Sequence, residues 1–306
     1  MPSPLSPPTR TLTDYLGIAA RGFCMGAADI VPGVSGGTMA FILGIYQELL
    51  DSIKAADTRV VRHLIRLRFK DAADLLPWRF LLSLGFGIAL AIFTLAHFLE
   101  NQIERHPTRV WAFFFGLVLA SVLTVSRNVS HWNPTAIATA LIALVCAYLL
   151  VGAASLHTPD TVWFLFFSGT LAVAAMLLPG ISGAYILVIL GKYRFVLSAV
   201  NNRDTLTIAV VASGAVLGLA IFARLLSWIL NRYHNPAFAA LTGLMLGSLR
   251  KVWPWKDPVN NTNPVLPTTL DTEVAITIIA GVAGLVAVLL ITRLAARPHH
   301  PSTAAP

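Results

Sequence analysis

Two short segments place residues that break a helix directly before residues that can hold an anion. They read Pro32-Gly33-Val34-Ser35-Gly36-Gly37 and Pro179-Gly180-Ile181-Ser182-Gly183-Ala184, each inside a long apolar run. Proline removes a backbone donor and glycine admits strained dihedrals, so neither run can be one unbroken helix. The half-helix that starts after each Pro-Gly pair presents unsatisfied N–H groups and a positive dipole end. Ser35 and Ser182 are good N-caps whose hydroxyls can also turn to a ligand. Gly36, Gly37 and Gly183 leave the backbone open to close approach, with Thr38 and Tyr185 next in line. Such a constellation favours an anion, phosphate above all. A self-satisfied turn that merely ends a helix is the alternative.

Ionisable residues inside apolar runs sharpen this, because each is costly unless paired or hydrated. Arg21 and Asp29 precede the first break, Arg224 falls within a later span, and His97 lies near a span end. Arginine grips phosphate through a bidentate fork, which makes Arg21 and Arg224 candidate headgroup ligands. Asp29 can pair with one of them in an empty site or carry a coupling proton. For Arg224 and His97 the competing role is snorkelling to the interface, and for Arg21 reaching the cytoplasmic headgroups. Tyr46, Tyr185 and Tyr193 can line the cavity.

These residues need a membrane scaffold, and the composition supplies one. Hydrophobic residues make up 56% of the chain, charged residues 12%, and mean hydropathy is +0.73. That marks an integral membrane protein. Stretches near 80–99, 110–125, 134–152, 206–230, 236–249 and 274–294 approach the length that spans about 30 Å of hydrocarbon, several of them falling short of about 20 residues. The motif regions 15–53 and 161–200 are apolar but interrupted. Net charge is +8, yet the basic residues sort by membrane side rather than forming a nucleic-acid surface. Lys54, Arg59, Arg62, Arg66, Arg68, Lys70 and Arg79 crowd the loop 51–79, which the positive-inside rule makes cytoplasmic. That loop reads either as a helix lying on anionic headgroups or as a solvated basic segment. Only Cys24 and Cys146 are present, and no metal spacing, Walker loop, dinucleotide fingerprint or Ser/His/Asp arrangement is visible, so neither cofactor nor metal is expected.

The interruptions belong to a longer repeat. Gly44 and Tyr46 match Gly191 and Tyr193 at the motif's own offset of 147. Ala91-Ile92-Phe93 matches Ala220-Ile221-Phe222, Gly85 matches Gly214, and Gly116-Leu117 matches Gly243-Leu244. The expected fold is all-α: an inverted-topology repeat, each half a broken or re-entrant helical hairpin plus three transmembrane helices. A hairpin returns to the face it entered, and three further spans put the second half on the opposite face. Segment 1–13 reads as a disordered tail with no cleavable signal peptide, 14–153 as the first repeat, 154–296 as the second, and 297–306 as a C-terminal tail. Both termini are then cytoplasmic, with fourteen basic residues inside and eight outside. Inverted repeats with discontinuous helices are a common way to build a transporter's binding site.

The stretch Met25-Gly26-Ala27-Ala28-Asp29-Ile30-Val31-Pro32-Gly33-Val34-Ser35-Gly36-Gly37-Thr38, followed by Gly44-Ile45-Tyr46, resembles the signature of the polyprenyl-phosphate transporter family. Met176-Leu177-Leu178-Pro179-Gly180-Ile181-Ser182-Gly183-Ala184-Tyr185, with Gly191 and Tyr193, resembles its second signature. Ala184 stands where a serine is frequent in that family. The resemblance covers nearly the whole chain. It implies a bacterial or archaeal plasma-membrane carrier that returns undecaprenyl or decaprenyl phosphate from the outer to the inner leaflet for cell-envelope glycan synthesis. The expected mechanism is a headgroup flip through a polar cavity, with the tail left in lipid and transport coupled to H+ or Na+. Membrane undecaprenyl-pyrophosphate phosphatases share a Pro-Gly-x-Ser motif, but there an arginine follows the serine, whereas Gly36 and Gly183 follow it here. A soluble-anion carrier or channel is the third possibility.

Overall fold

The structure, a computed structural model, describes residues 10–30, 35–56, 58–66, 68–153, 155–156, 158–257, 263–267 and 271–295. Apolar periodicity broken by Pro, Gly and polar caps yields helices in the order α1 (Leu12–Ile30), α2 (Gly36–Ile42), α3 (Tyr46–Ala55), α4 (Thr58–Ile65), α5 (Phe69–Leu75), α6 (Trp78–Arg105), α7 (Pro107–Ser126), α8 (Pro134–Val151), α9 (Val162–Met176), α10 (Gly183–Ile189), α11 (Tyr193–Asn201), α12 (Thr205–Arg232), α13 (His234–Val252) and α14 (Thr272–Ala295). Among the described residues no sheet forms, and one isolated bridge joins Lys256 to Pro264. Helices α6, α7, α8, α12 and α14 are long and apolar enough to cross a membrane. The protein is an all-α, multi-pass integral membrane protein. The stretch expected at 236–249 falls on α13, which is 19 residues long but carries Thr242, Ser248, Arg250 and Lys251.

Local chemistry sets the helix starts. Pro107 and Pro134 open α7 and α8, where a missing N–H costs nothing. Asn133 caps the Ala136 amide and Asp204 caps that of Thr207. The basic loop folds into α4 and α5, and the last turn of α3 before it carries Lys54, whose ammonium donates to the Ser227 hydroxyl at 2.7 Å. Of the tail expected at 1–13, residues 1–9 lie outside the described residues, whereas Arg10 pairs with Glu48 at 2.6 Å and α1 begins at Leu12; the C-terminal tail expected at 297–306 lies wholly outside them.

The halves pack by one scheme used twice. Helix α1 lies along α6 as α9 lies along α12, and α7 lies along α14 as α8 lies along α13. Glycine makes each approach possible. A Cβ on Gly22 would overlap the Leu84 carbonyl, and one on Gly169 would overlap that of Val211. Gly87 meets the Ala19 carbonyl just as Gly214 meets that of Phe166. This corrects the match of Gly85 with Gly214: Gly85 faces open space, and Gly87 is the packing counterpart. Helix directions follow from the end contacts. Arg109 and Glu273, near the starts of α7 and α14, form an ion pair at 2.5 Å. Arg250, near the end of α13, donates to the Tyr148 carbonyl near the end of α8, while Ser130 and Asn235 meet near their starts. Both pairs are therefore parallel.

The two hairpin turns are also alike. Gly44 and Gly191 sit at φ of +71° and +66°, where only glycine is unstrained. In each, the next residue's amide reaches back five residues, Ile45 to the Ala40 carbonyl and Lys192 to that of Leu187. The bend between α10 and α11 is 109°. At 10 and 9 residues, α3 and α11 rise about 15 and about 14 Å, roughly half a hydrocarbon core.

Candidate functional site

Side chains that follow the first break hold the backbone of the second. The Ser35 hydroxyl donates to the Met176 carbonyl at 3.4 Å, and that of Tyr46 to the Leu177 carbonyl at 2.6 Å. Thr38 Oγ1 accepts from the Gly180 amide at 2.9 Å. These are groups that the end of α9 and the Pro-Gly turn set free, and in a membrane interior they must be satisfied by protein. The lacing is tight: Ser35 is 1% exposed and Tyr46 4%.

At the first break the half-helix is closed by its own neighbours. Asp29 Oδ1 accepts from the Gly36 amide at 2.6 Å, and Ser35 Oγ accepts from that of Gly37 at 3.2 Å. No hydrogen bond or ion pair joins Asp29 to Arg21 or Arg224. The space beside the glycines, expected to admit an anion, is filled by protein. A Cβ on Gly36 would overlap the Asp29 carboxylate, and one on Gly37 would lie 2.9 Å from the Met176 carbonyl. In this conformation glycine is required there for packing. Pro32 and Gly33 lie outside the described residues.

The second break is built differently. Position 176, the repeat counterpart of Asp29, is methionine, and Ser182 makes no cap hydrogen bond to α10. Ser182 instead lines a small cleft with Gly180, Tyr185, Ser248 and Lys251, walled by Ala147 and Leu150. Gly180 adopts φ of +90° in the turn, and Gly183 is pressed against the Ala172 carbonyl. The Tyr185 hydroxyl donates to the Val151 carbonyl at 2.6 Å, which leaves its ring facing the Lys251 ammonium at 4.4 Å.

The two arginines stand apart from the breaks. Arg21 lies eight residues before Asp29 on α1, about 12 Å along the axis, and is half-buried. Arg224 is exposed and donates to the Ala220 carbonyl of its own helix at 2.8 Å. Ser35, Gly36, Gly37, Thr38, Ser182, Gly183 and Asp29 are brought together at the junction, with Tyr185 at its edge. Three residues do more than their sequence context foretells. Tyr46, expected only to line a cavity, holds a carbonyl of the opposite break. Lys192 is buried with its ammonium on the Thr158 carbonyl and Asp160, and Lys251 enters the cleft. The sequence does carry a signal for Lys251: the copies diverge at Arg250 and Lys251, where the first half has Leu123 and Thr124.

The family model described as undecaprenyl phosphate translocase-like matches residues 25–265. A protein of Vibrio cholerae serotype O1 named polyprenyl-phosphate transporter is 38% identical over 247 residues, covering 81% of this chain and 80% of that protein. A Staphylococcus aureus protein of the same name is 28% identical over 255 residues, covering 76% of this chain and 84% of the relative. No solved structure matches. Both breaks and all but the last span lie within the matched residues, and the chain belongs to the undecaprenyl phosphate translocase-like family.

Proposed function

We propose that this protein carries polyprenyl phosphate, undecaprenyl or decaprenyl, from the outer to the inner leaflet of a bacterial or archaeal plasma membrane. The lipid then re-enters cell-envelope glycan synthesis. The phosphate passes through the polar junction of the two breaks while the isoprenoid tail stays in lipid. The protein acts as a carrier, and neither a hydrolase nor a soluble-anion channel is needed to account for the site.

One observation carries this reading: equivalent residues of the two halves do unequal things. Ser35 and Tyr46 hold carbonyls of the second break, whereas their counterparts Ser182 and Tyr193 hold no described backbone of the first. Tyr193 is 42% exposed against 4% for Tyr46. Two copies of one unit held in different conformations are what alternating access requires, because exchanging their roles exposes the site to the other face. The parallel run of α7 with α14 and α8 with α13 supports inverted topology. If both halves entered from one face, these pairs would be antiparallel. Both termini then lie with the basic loop in the cytoplasm.

In the state described here the headgroup meets Ser182 and Tyr185, while Gly183 stays packed on α9. In the opposite state Ser35, Gly36, Gly37 and Thr38 are released for it. Arg21 and Arg224 lie in the cytoplasmic half and receive the phosphate on its way out. Carrying a negative charge inward opposes the membrane potential by about 2.3 kcal/mol per charge per 100 mV. A proton taken up by Asp29 offsets that, with Na+ the other coupling ion.

The test is leaflet exchange of a fluorescent polyprenyl phosphate in proteoliposomes, with and without imposed H+ or Na+ gradients. Exchange well above protein-free vesicles that responds to one gradient is the expected result. Exchange no faster than in empty vesicles overturns the proposal, as does phosphate release from lipid pyrophosphate or a lipid-independent anion current.

A further inference from the structure

We propose that Lys251 and Lys256 form the outer docking site for the lipid phosphate, and that the apolar groove beside Lys256, between α7 and α14, takes the first isoprene units of its tail. This deepens the transport reading above and rests on it.

Three basic residues cluster at the end of α13, and they are not equivalent. Arg250 is engaged in structure: its guanidinium donates to the Tyr148 carbonyl at 2.9 Å and to Asn263 Oδ1 at 2.8 Å, and it lies over the Tyr148 ring. It fastens α13 to α8. Lys251 and Lys256 have no carboxylate partner among the described residues, although both are half-buried. Each rests on an aromatic face, Lys251 on Tyr185 at 4.4 Å and Lys256 on Trp111 at 3.9 Å. Cation–π contact offsets only part of the desolvation of an ammonium. The two also repel each other: burial first and Lys251 second bring the Lys256 pKa down to about 8. Two desolvated, mutually repelling ammonium groups, Lys251 in the cleft with Ser182 and Ser248 and Lys256 on Trp111, are complementary to a dianion. Lysine suits a passing ligand because it binds as a mobile point charge rather than through a fixed fork.

The groove fixes the ligand class. Trp253, Trp255, Phe115, Leu119, Ile278 and Val282 line an apolar cleft of about 230 Å³ on the same end of the molecule. Trp253 stacks edge-on against both Phe115 and Trp255, at 5.3 and 6.0 Å, which keeps the groove wall upright. Lys256 follows Trp255 directly, and its ring partner Trp111 precedes the lining residue Ala112. A charged head at the lysines therefore continues into an apolar path for a chain. Inorganic phosphate would use only the first part, and a polyprenyl phosphate uses both. Helix α13 brings Lys251 to the face opposite Lys54, which is the outer face when the basic loop is cytoplasmic.

The test uses the full chain in nanodiscs and proteoliposomes, with fluorescent polyprenyl phosphate and, separately, inorganic phosphate. The double variant Lys251→Gln/Lys256→Gln is expected to weaken polyprenyl phosphate binding at least tenfold and to flatten its salt dependence. Lys251→Arg/Lys256→Arg, which keeps both charges, retains binding within a few-fold. Leu119→Trp, which fills the groove, is expected to weaken binding of the lipid while leaving that of inorganic phosphate unchanged. Parent-like affinity and parent-like exchange in the Gln double variant overturn the lysine site even when the transport reading stands. Unchanged lipid binding in Leu119→Trp overturns the groove. A parent protein that neither binds nor exchanges the lipid overturns both this site and the function on which it rests.

Discussion

The Tyr46 hydroxyl donates a 2.6 Å hydrogen bond to the carbonyl of Leu177, 131 residues away in the other half of the chain. Its repeat counterpart Tyr193 makes no such bond and is 42% exposed. This pair is the most direct handle on the conformation held here.

Tyr46→Phe removes the donor and leaves a buried carbonyl unpaired, a cost of about 1–3 kcal/mol. The expected result is a lower melting temperature in detergent together with greater labelling of a cysteine placed at position 35. Tyr193→Phe, at an exposed ring, is expected to change stability by less than about 0.5 kcal/mol. Equal melting shifts in the two variants would show that the halves are not in distinct conformations.

Asp29 separates two roles by substitution. Asparagine keeps an oxygen for the Gly36 amide but cannot carry a proton, whereas alanine loses the cap as well. Asp29→Asn is expected to fold normally and to lose the pH-gradient dependence of lipid exchange. Asp29→Ala adds a stability loss of about 1 kcal/mol, the usual worth of such a cap. Exchange by Asp29→Asn at the parent rate with the parent's pH dependence would remove Asp29 from coupling.

Glycine contacts make a paired test of the packing scheme. In Gly214→Ala the new methyl would overlap the Phe166 carbonyl and force α9 from α12, at about 1–3 kcal/mol. Gly85→Ala meets nothing within 4 Å and replaces a poor helix former, so it should stabilise α6 by up to about 1 kcal/mol. Thermal melts of the two single variants against the parent decide this, and a shift of the same sign in both would contradict the Gly87–Gly214 correspondence.

Headgroup affinity should fall as pH rises through about 8, where Lys256 in the empty site loses its proton. The sign follows from linkage. Burial and Lys251 lower the pKa of the free site, a bound dianion raises it, and binding above pH 8 must therefore take up a proton. Affinity then declines by up to about tenfold per pH unit. Titration of lipid binding between pH 7 and 9.5 measures this, and Lys256→Arg, charged throughout, should flatten the profile over that range.

The order of amino acids alone determines much of this architecture. Hydropathy, Pro-Gly interruptions and a repeat at offset 147 dictate an all-α membrane protein of two similar halves, because a bilayer admits few other ways to satisfy a backbone. The repeat register in α6 differs by two residues from the sequence match, since Gly85 and Gly87 are equally glycine in sequence and only packing tells them apart. The same holds for the breaks. Residue type marks Ser35, Ser182, Asp29 and the glycines as groups able to bind an anion, but it does not say which of them use one another. Tertiary contact decided that Asp29 and Ser35 close the first half-helix, that Tyr46 and Thr38 hold the second break, and that Ser182 is left facing Lys251. The reason is physical. A hydroxyl or amide carries the same hydrogen-bonding capacity wherever it lies in the chain, and whether protein or ligand satisfies it depends on distances set by helices far apart in sequence.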